Sequence, residues 1–415
     1  MARFRHYRRS TCRICGSGDL ISVLDLGAQP PSNAFLSEAE LAAEQSFPLE
    51  VFLCRGCASC QLLDVVHHED VFGDYAYLSS TSRALCAHFQ SLIDHLLARW
   101  TPAEGSLIVD VGANDGIILD RYPPGRFRLL GVEPSSAGRF AREKGHEIEA
   151  AFFGRETAQR IRERLGPVAL ATATNVFAHI DEITEFAAGF SDMLAKNGVV
   201  VFEFSYLPDM ADGVYFDTIY HEHLNYHALT PLMTLLGSVG LRAISAERIG
   251  VGASGPALRL TAARVDGRLS ADASVEALLQ YEREWGVSDL SSYDRFRRKV
   301  DGAIDALRGA VADERVAGRR VGAFSAPAKG NTLLNSARFS ADDIEAVSEN
   351  NHLKVGKLTP GSHIPIISDE DFIEAGFDTA LLLSWNYAEF FIKNSEFVKR
   401  GGRFLVPLPY PELRP

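Results

Sequence analysis

The sequence predicts an α/β protein: two consecutive doubly wound units behind a small, metal-stapled N-terminal module. Three observations carry that reading. From residue 107 onward, short apolar runs alternate with helical stretches, the pattern of a parallel sheet covered by helices. The alternation restarts near Arg319 after a mostly helical interval. Finally, Cys12, Cys15, Cys54 and Cys57 form two Cys-x-x-Cys pairs in a stretch too loop-rich to build its own core. A chain of 415 residues has room for such units. The expected boundaries are 1–82, 83–265 and 266–415.

The elements follow in chain order. The 16–53 stretch carries Pro30, Pro31 and turn-forming polar residues, so it reads as short strands and loops. Two Cys-x-x-Cys knuckles can surround zinc tetrahedrally in a closed, structural site. Redox-active or merely buried cysteines are the other reading, and Cys57-x-x-Cys60 is a knuckle too. Cys86 falls in a helical pattern and reads as a small apolar residue. That helix spans Arg83 to Trp100, with Leu92, Ile93, Leu96 and Leu97 on one face. Strands are expected at Leu107–Val111, Leu129–Val132, Leu170–Thr174 and Val199–Phe204. Residues 270–318 read as helical, and the last unit has strands at Arg320–Phe324, Ala380–Leu383 and Arg403–Val406.

Composition narrows the function classes. The hydrophobic fraction is 46% and the charged fraction 23%, ordinary for a soluble globular protein. A formal net charge of -12 argues against nucleic acid or an anionic membrane as partner. The basic run Arg3, Arg5, Arg8, Arg9 reads as a solvated tail. No apolar run approaches a membrane span and the N-terminus lacks a signal-peptide core, so a cytoplasmic location is expected.

Leu107 to Gly116 is an apolar strand entering a glycine-bearing turn, and ligands bind at such strand ends in doubly wound sheets. Gly112 and Gly116 permit positive φ and close approach. The next strand ends in Glu133-Pro134, about 20 residues on, where a carboxylate accepts ribose hydroxyls. That geometry serves NAD or S-adenosylmethionine. Asp115 in the turn suits a cationic sulfonium better than a pyrophosphate. Asp110, Gly112, Asn114, Asp115, Gly116, Glu133, Pro134 and Asn175 are the candidate cofactor residues. A ligand-free turn is the plainer alternative.

Phe216 to Tyr226 is the most unusual stretch, with Tyr220, His221, Glu222, His223 and Tyr226, then His227. Histidine titrates near neutrality and is the usual general base. His-Glu-His also suggests a metal, but residues two apart do not share a helix face. His179 ends the preceding strand's loop, and both segments converge on one crevice in this fold. A structural role for all of them is the other possibility.

Together these motifs resemble the sugar C-methyltransferases of deoxysugar biosynthesis, which act on nucleotide-linked 4-keto sugars in antibiotic pathways. The resemblance spans nearly the whole chain. It includes the knuckles, Leu24–Pro30, Tyr75–Ser80, Val109–Gly116, Gly131–Ser135, Asn175–Ile180, Phe216–His223, Ala326–Thr332, Lys357–Pro365 and Ser384–Asn386. It implies a zinc-binding N-terminal module, a class I methyltransferase Rossmann-like domain and a C-terminal Rossmann-like domain. It also implies S-adenosylmethionine and structural zinc as cofactors. The Gln61-Leu62 pair implies Cys54 and Cys57 as ligands beside Cys12 and Cys15, with Cys60 left over. His223 matches the histidine proposed as base, while Glu222, Tyr220, His179 and Tyr77 would line the sugar site. One departure stands out: family members often carry His-Gly-Gly-Ser-Leu-Arg where this chain has Ser254-Gly-Pro-Ala-Leu-Arg259, which implies an altered substrate-side loop.

The implied chemistry is methylation of a carbon beside a ketone. It needs a base, a donor at the enolate oxygen and a sulfonium methyl. His223 is assigned as base, with His179 or a tyrosine near the oxygen and Glu222 orienting a histidine or binding the sugar. Zinc held by four thiolates has no open position for that work. Lys329, Asn331, Thr332, Lys357 and His363 lie in or beside glycine-bearing loops of the last unit and suit a nucleotide and its phosphates, dTDP by expectation. Epimerisation by the same deprotonation is the second reading. A nucleic-acid-binding zinc protein is a third, disfavoured by charge. A monomer or small homo-oligomer is expected.

Overall fold

The computed structural model describes residues 4–72, 78–252 and 255–415. The N-terminal segment forms β1 (His6–Arg8), β2 (Leu20–Gln29), β3 (Phe47–Cys54), β4 (Cys60–Leu62), β5 (Asp64–Val66) and the short α1 (His68–Phe72). Strands β2, β3 and β4 pair antiparallel, and β1 pairs with β5. Arg3 lies outside the described residues, but Arg5, Arg8 and Arg9 are no solvated tail. Arg5 meets Asp70 at 2.7 Å, Arg8 meets Asp64, and Arg9 meets Glu182 at 2.8 Å. Carboxylates distant in sequence neutralise them.

Helix α2 (Arg83–Trp100) follows. The Ser82 hydroxyl caps it by accepting from the Leu85 amide, and Thr101 closes it in the left-handed region. Leu92, Ile93 and Leu96 are fully buried, each worth about 1.5–3 kcal/mol of removed apolar surface.

The middle of the chain supplies β6 (Leu107–Val111), β7 (Arg128–Val132), α3 (Gly138–Glu143), β8 (Glu147–Glu149), α4 (Arg155–Leu165), β9 (Val168–Thr174), α5 (Ile183–Met193), β10 (Leu194–Ser205), α6 (Leu207–Asp212), β11 (Asn225–Tyr226), α7 (Leu229–Ser238), β12 (Leu241–Gly252) and β13 (Gly255–Arg264). All of these strands but β11 build one seven-stranded sheet in the order β12-β13-β10-β9-β6-β7-β8. Its core is parallel, and β13 inserts antiparallel beside β10. The stretch expected to be a substrate-side loop near Arg259 is instead strand. Arg259 faces Glu203 across the β10–β13 pair at 3.1 Å, while residue 254 lies outside the described residues.

Helices α8 (Ala273–Trp285) and α9 (Leu290–Val316) lead into β14 (Val321–Phe324), α10 (Ala328–Ser336), β15 (Val347–Glu349), β16 (Ile366–Ser368), α11 (Asp369–Glu374), β17 (Thr379–Leu382), α12 (Ala388–Asn394), α13 (Glu396–Lys399), β18 (Arg403–Val406) and β19 (Glu412–Arg414). The order β16-β15-β14-β17-β18-β19 is parallel except at β19. β15 and β16 have three residues each, too few to show a period in the sequence. Both sheets thus place their first strand centrally, with successors running outward on either side. That reversal leaves a crevice at the strands' carboxyl ends. No helix among the described residues is long and apolar enough to cross a membrane.

Candidate active site

A crevice of about 1800 Å³ runs between the two sheets. Gly112, Glu133 and Asn175 reach it from the ends of β6, β7 and β9, and Ser325, Glu349 and Ser384 from the facing sheet.

The cofactor turn is built locally. Gly112 has φ +78°, and a Cβ there would lie 2.2 Å from Val176 Cγ2, so only glycine fits. The Asn114 amide donates to Glu133 Oε2 at 2.8 Å, and the Ser135 amide donates to Oε1 at 2.8 Å. Each carboxylate oxygen keeps acceptor capacity for a ribose hydroxyl. Asp110 is buried and accepts from Thr172 at 2.6 Å. Burial pushes its carboxyl up to about 7. Asp110, Gly112, Asn114, Glu133, Pro134 and Asn175 all line the crevice.

Asp115 and Gly116 are not among the crevice-lining residues. The Asp115 carboxylate takes the Ser80 hydroxyl and stands 3.8 Å from the Lys144 ammonium, so it anchors the segment before α2 instead of facing a sulfonium. Gly116 packs tightly against His146 and Ala141.

The histidine segment gathers as expected. His179 Nδ1 meets the Glu222 carbonyl at 2.6 Å, and the His179 and His223 ring centroids are 4.9 Å apart. His223 Nδ1 sits 2.7 Å from the Thr218 carbonyl. A carbonyl only accepts, so Nδ1 carries the proton and Nε2 the lone pair. The Tyr220 hydroxyl donates to that Nε2 at 2.9 Å. Burial drives His223 down to about 3, aided by neighbouring His179 and His227, so the ring is neutral. The other histidines shift the same way by burial: His179 down, His221 and His227 to about 4. His221 lies close to the Phe47 and Pro48 carbonyls. Glu222 accepts from Asn33 at 3.1 Å through Oε1, while its buried Oε2 has no hydrogen-bond partner among the described residues. Burial raises Glu222 to about 7. It is the Glu222 carbonyl, not its carboxylate, that orients His179. Tyr77 lies outside the described residues.

The C-terminal candidates divide. Lys329 lines the crevice, stands 4.2 Å over the Trp385 ring and donates to Asn386. Burial lowers it to about 8, against the pull of Asp217. Lys357 is exposed on the crevice. Asn331, Thr332 and His363 are not crevice-lining residues. Asn331 donates to the Ser32 carbonyl at 2.7 Å and Thr332 meets the Ser32 hydroxyl at 3.3 Å. His363 meets Glu44 at 2.7 Å. All three tie the last unit to the N-terminal module.

Sequence reasoning missed Asn33, Asp217, Glu349 and Lys354. Trp385 donates to buried Asp217 at 2.6 Å. Glu349 accepts the Ala326, Asn350 and Asn351 amides, and Lys354 donates to the Ala326 carbonyl at 2.8 Å, so the pair fixes the turn after β14. Glu349 ends β15, whose three residues are too few to announce a strand-ending carboxylate in the sequence. No sequence signal links Asn33 to Glu222.

Outside the crevice, Cys12, Cys15, Cys54 and Cys57 bring their sulfurs within 4.8 Å of one another. Cys12 and Cys57 are 3.6 Å apart, and Cys15 and Cys54 3.5 Å. Sharing a hydrogen bond drives Cys12 down to about 4 and its partner Cys57 up. Four thiolates that close need a cation, and a closed all-sulfur set suits zinc. Cys60 is buried apart from them and raised to about 12 by burial.

Three families match this architecture in succession. A zinc binding domain matches residues 12–72, a methyltransferase domain 81–246 and a C-methyltransferase C-terminal domain 252–409. The chain is 34% identical over 409 residues to the C-methyltransferase NovU of Streptomyces niveus, covering 97% of this chain and 96% of that one. Among solved structures, magnesium protoporphyrin IX methyltransferase from Synechocystis PCC 6803 with bound SAM overlaps 47% of this chain and 88% of its own (14% identity, TM-score 0.33). A SAM-dependent methyltransferase from Anabaena variabilis overlaps 42% and 84% (14% identity, TM-score 0.33). The seven-stranded sheet, the cofactor turn, the four-cysteine cluster and the end-to-end match to a C-methyltransferase agree: the chain belongs to the C-methyltransferase family and is an S-adenosylmethionine-dependent methyltransferase with a zinc-binding N-terminal module.

Proposed function

We propose that this methyltransferase acts on a carbon beside the keto group of a nucleotide-linked 4-keto deoxysugar, dTDP by preference, with His223 as the base. The observation that carries the reading is the His223 geometry: a crevice-lining neutral ring whose proton is pinned at Nδ1 by Thr218, with its lone pair at Nε2 held by the Tyr220 hydroxyl. Bound S-adenosylmethionine would supply an electrophilic methyl group, and Asp110, Gly112, Asn114, Glu133, Pro134 and Asn175 would hold it.

On the substrate side, His223 Nε2 takes the proton from the carbon next to the ketone. Tyr220, hydrogen-bonded to that nitrogen before the substrate arrives, first releases the lone pair and turns its hydroxyl to the keto oxygen, where the enolate charge develops. Donors aimed at a developing oxyanion lower such a barrier substantially. Glu222, raised to about 7 by burial, keeps a protonated fraction near neutrality that can donate to a sugar hydroxyl without repelling an enolate. Lys329 and Lys357 supply positive charge for a diphosphate on the facing side of the crevice. Within this reading the working units are 1–82, 83–265 and 266–415. NovU's name supports the carbon acceptor, and the sugar rests on the motif resemblance to the sugar C-methyltransferases.

The test is a panel of nucleotide-linked keto sugars incubated with methyl-labelled S-adenosylmethionine. Label found on a sugar carbon supports the proposal. Deuterium uptake from solvent without label would move the assignment to epimerisation, and label on oxygen or nitrogen alone would end it.

A further inference from the structure

The metal cluster and the histidine segment belong to different units, yet they share a backbone. β11, which ends the histidine segment, leaves the seven-stranded sheet and joins the N-terminal one, in the order β11-β4-β3-β2. Asn225 registers with Gln61 and Tyr226 with Cys60, and the Leu62 amide donates to the Leu224 carbonyl at 2.9 Å. β4 follows the second knuckle directly, and its middle residue reaches back to the cluster. Gln61 is fully buried. Its amide nitrogen donates to Cys12 Sγ at 3.1 Å, and its amide oxygen accepts from the Arg13 amide at 3.0 Å. Arg13, between the first two cysteines, donates to the Leu62 carbonyl and reaches Asp181 at 2.9 Å, two residues past His179.

A buried glutamine is costly unless each polar atom has a partner. A leucine would fill the same place in β4 at no such cost. What a leucine lacks is the N–H that stabilises a thiolate and fixes its direction, the usual task of a group just outside a metal's ligands. The same side chain therefore reads the sulfur position, and its own backbone sets the register of the strand carrying His223's neighbours.

We propose that Gln61 is a positioning residue that couples the four-cysteine centre to the histidine segment, so that a zinc-filled cluster sets the placement of residues 218–227. This rests on the reading of that segment as catalytic. Zinc takes no part in the reaction in this arrangement. Bound by the four cysteines it would fix Cys12 Sγ, on which Gln61 and through it the register of β11 depend.

The experiment compares zinc-loaded wild type with Gln61→Leu and Gln61→Glu. The second variant keeps the length and the acceptor but sets an anionic oxygen against the thiolate. Zinc content, S-adenosylmethionine affinity by calorimetry, hydrogen exchange by peptide and kcat are measured on each. With zinc retained and cofactor affinity within about twofold, exchange across 218–227 should rise about tenfold or more while the cofactor turn at 107–116 stays protected. kcat should fall about 10- to 100-fold with KM for the cofactor unchanged. Unchanged exchange across 218–227 overturns the coupling whatever kcat does. Raised exchange with unchanged kcat upholds the coupling and overturns the catalytic reading of the segment. Should Gln61→Leu fail to fold, Gln61→Glu decides.

Discussion

The cofactor turn and the histidine segment face each other across one crevice, but their supports differ. Gly112, Asn114 and Glu133 are shaped by one another and by Val132, Ser135 and Val176, all from two adjoining strands and the loop of a third. The histidine segment takes its support from afar. Asn33, Phe47, Pro48, Gln61 and Leu62 grip it from the N-terminal module, while Trp385 holds Asp217 from the C-terminal unit. One site is built mainly by its own strand ends, with Ser79 and Ser80 from the segment before α2 added at Asn114 and Asp115, and the other is a loop suspended between two foreign surfaces. Binding and chemistry should therefore come apart under mutation.

The largest break is expected at His223. His223→Ala should lower kcat by about two to four orders of magnitude, with cofactor affinity nearly unchanged. Stopped turnover and calorimetry read both, and an unaltered kcat would remove His223 from the base role. Glu133→Gln gives the mirror image. It weakens two amide hydrogen bonds to a charge, so cofactor Kd should rise about 10- to 100-fold, while exchange across 218–227 stays as in wild type.

A pH series sharpens the contrast at Glu222. Its pKa is raised to about 7 in the fold against an ordinary 4.5, so the folded state holds the extra proton. Wild type therefore loses stability as pH rises from about 4.5 through 7. Glu222→Gln has no such loss, and its Tm relative to wild type should climb over that window by on the order of 2–4 °C. A flat difference would mean that Glu222 is ionised in the fold. The smallest effect belongs to Asn331→Ala, which costs about 0.5–1.5 kcal/mol of stability in denaturant titration and leaves kcat and Kd in place. A large change in KM for the methyl acceptor would return Asn331 to the substrate site.

The same contrast explains what could be read from the sequence. The strand-turn-carboxylate pattern at 107–134 is local, so sheet, turn and Glu133 were legible. Asp115 was misjudged because its partners, Ser80 and Lys144, come from outside the motif. The histidines were visible as a cluster, but not the reason for their geometry, which lies in carbonyls at Thr218 and Glu222 and in side chains up to 189 residues away. Asn331, Thr332 and His363 looked like ligand-binding residues because loops near glycines usually are. Their partners, Ser32 and Glu44, are more than 280 residues upstream and leave no trace in spacing. The basic N-terminal run was misread for the same reason.

The split support of the histidine segment also limits how this chain can be recombined. A chimaera that imports residues 83–265 from a relative would carry the histidines but not their frame. Unless residues equivalent to Asn33, Phe47, Gln61, Lys329 and Trp385 travel with them, the graft inherits a cofactor turn that lacks only its Ser79 and Ser80 contacts and a histidine segment without its frame. Exchange of substrate preference between relatives should therefore succeed for whole chains, or for units swapped together with their seams, and fail at the borders where sequence alignment alone would cut.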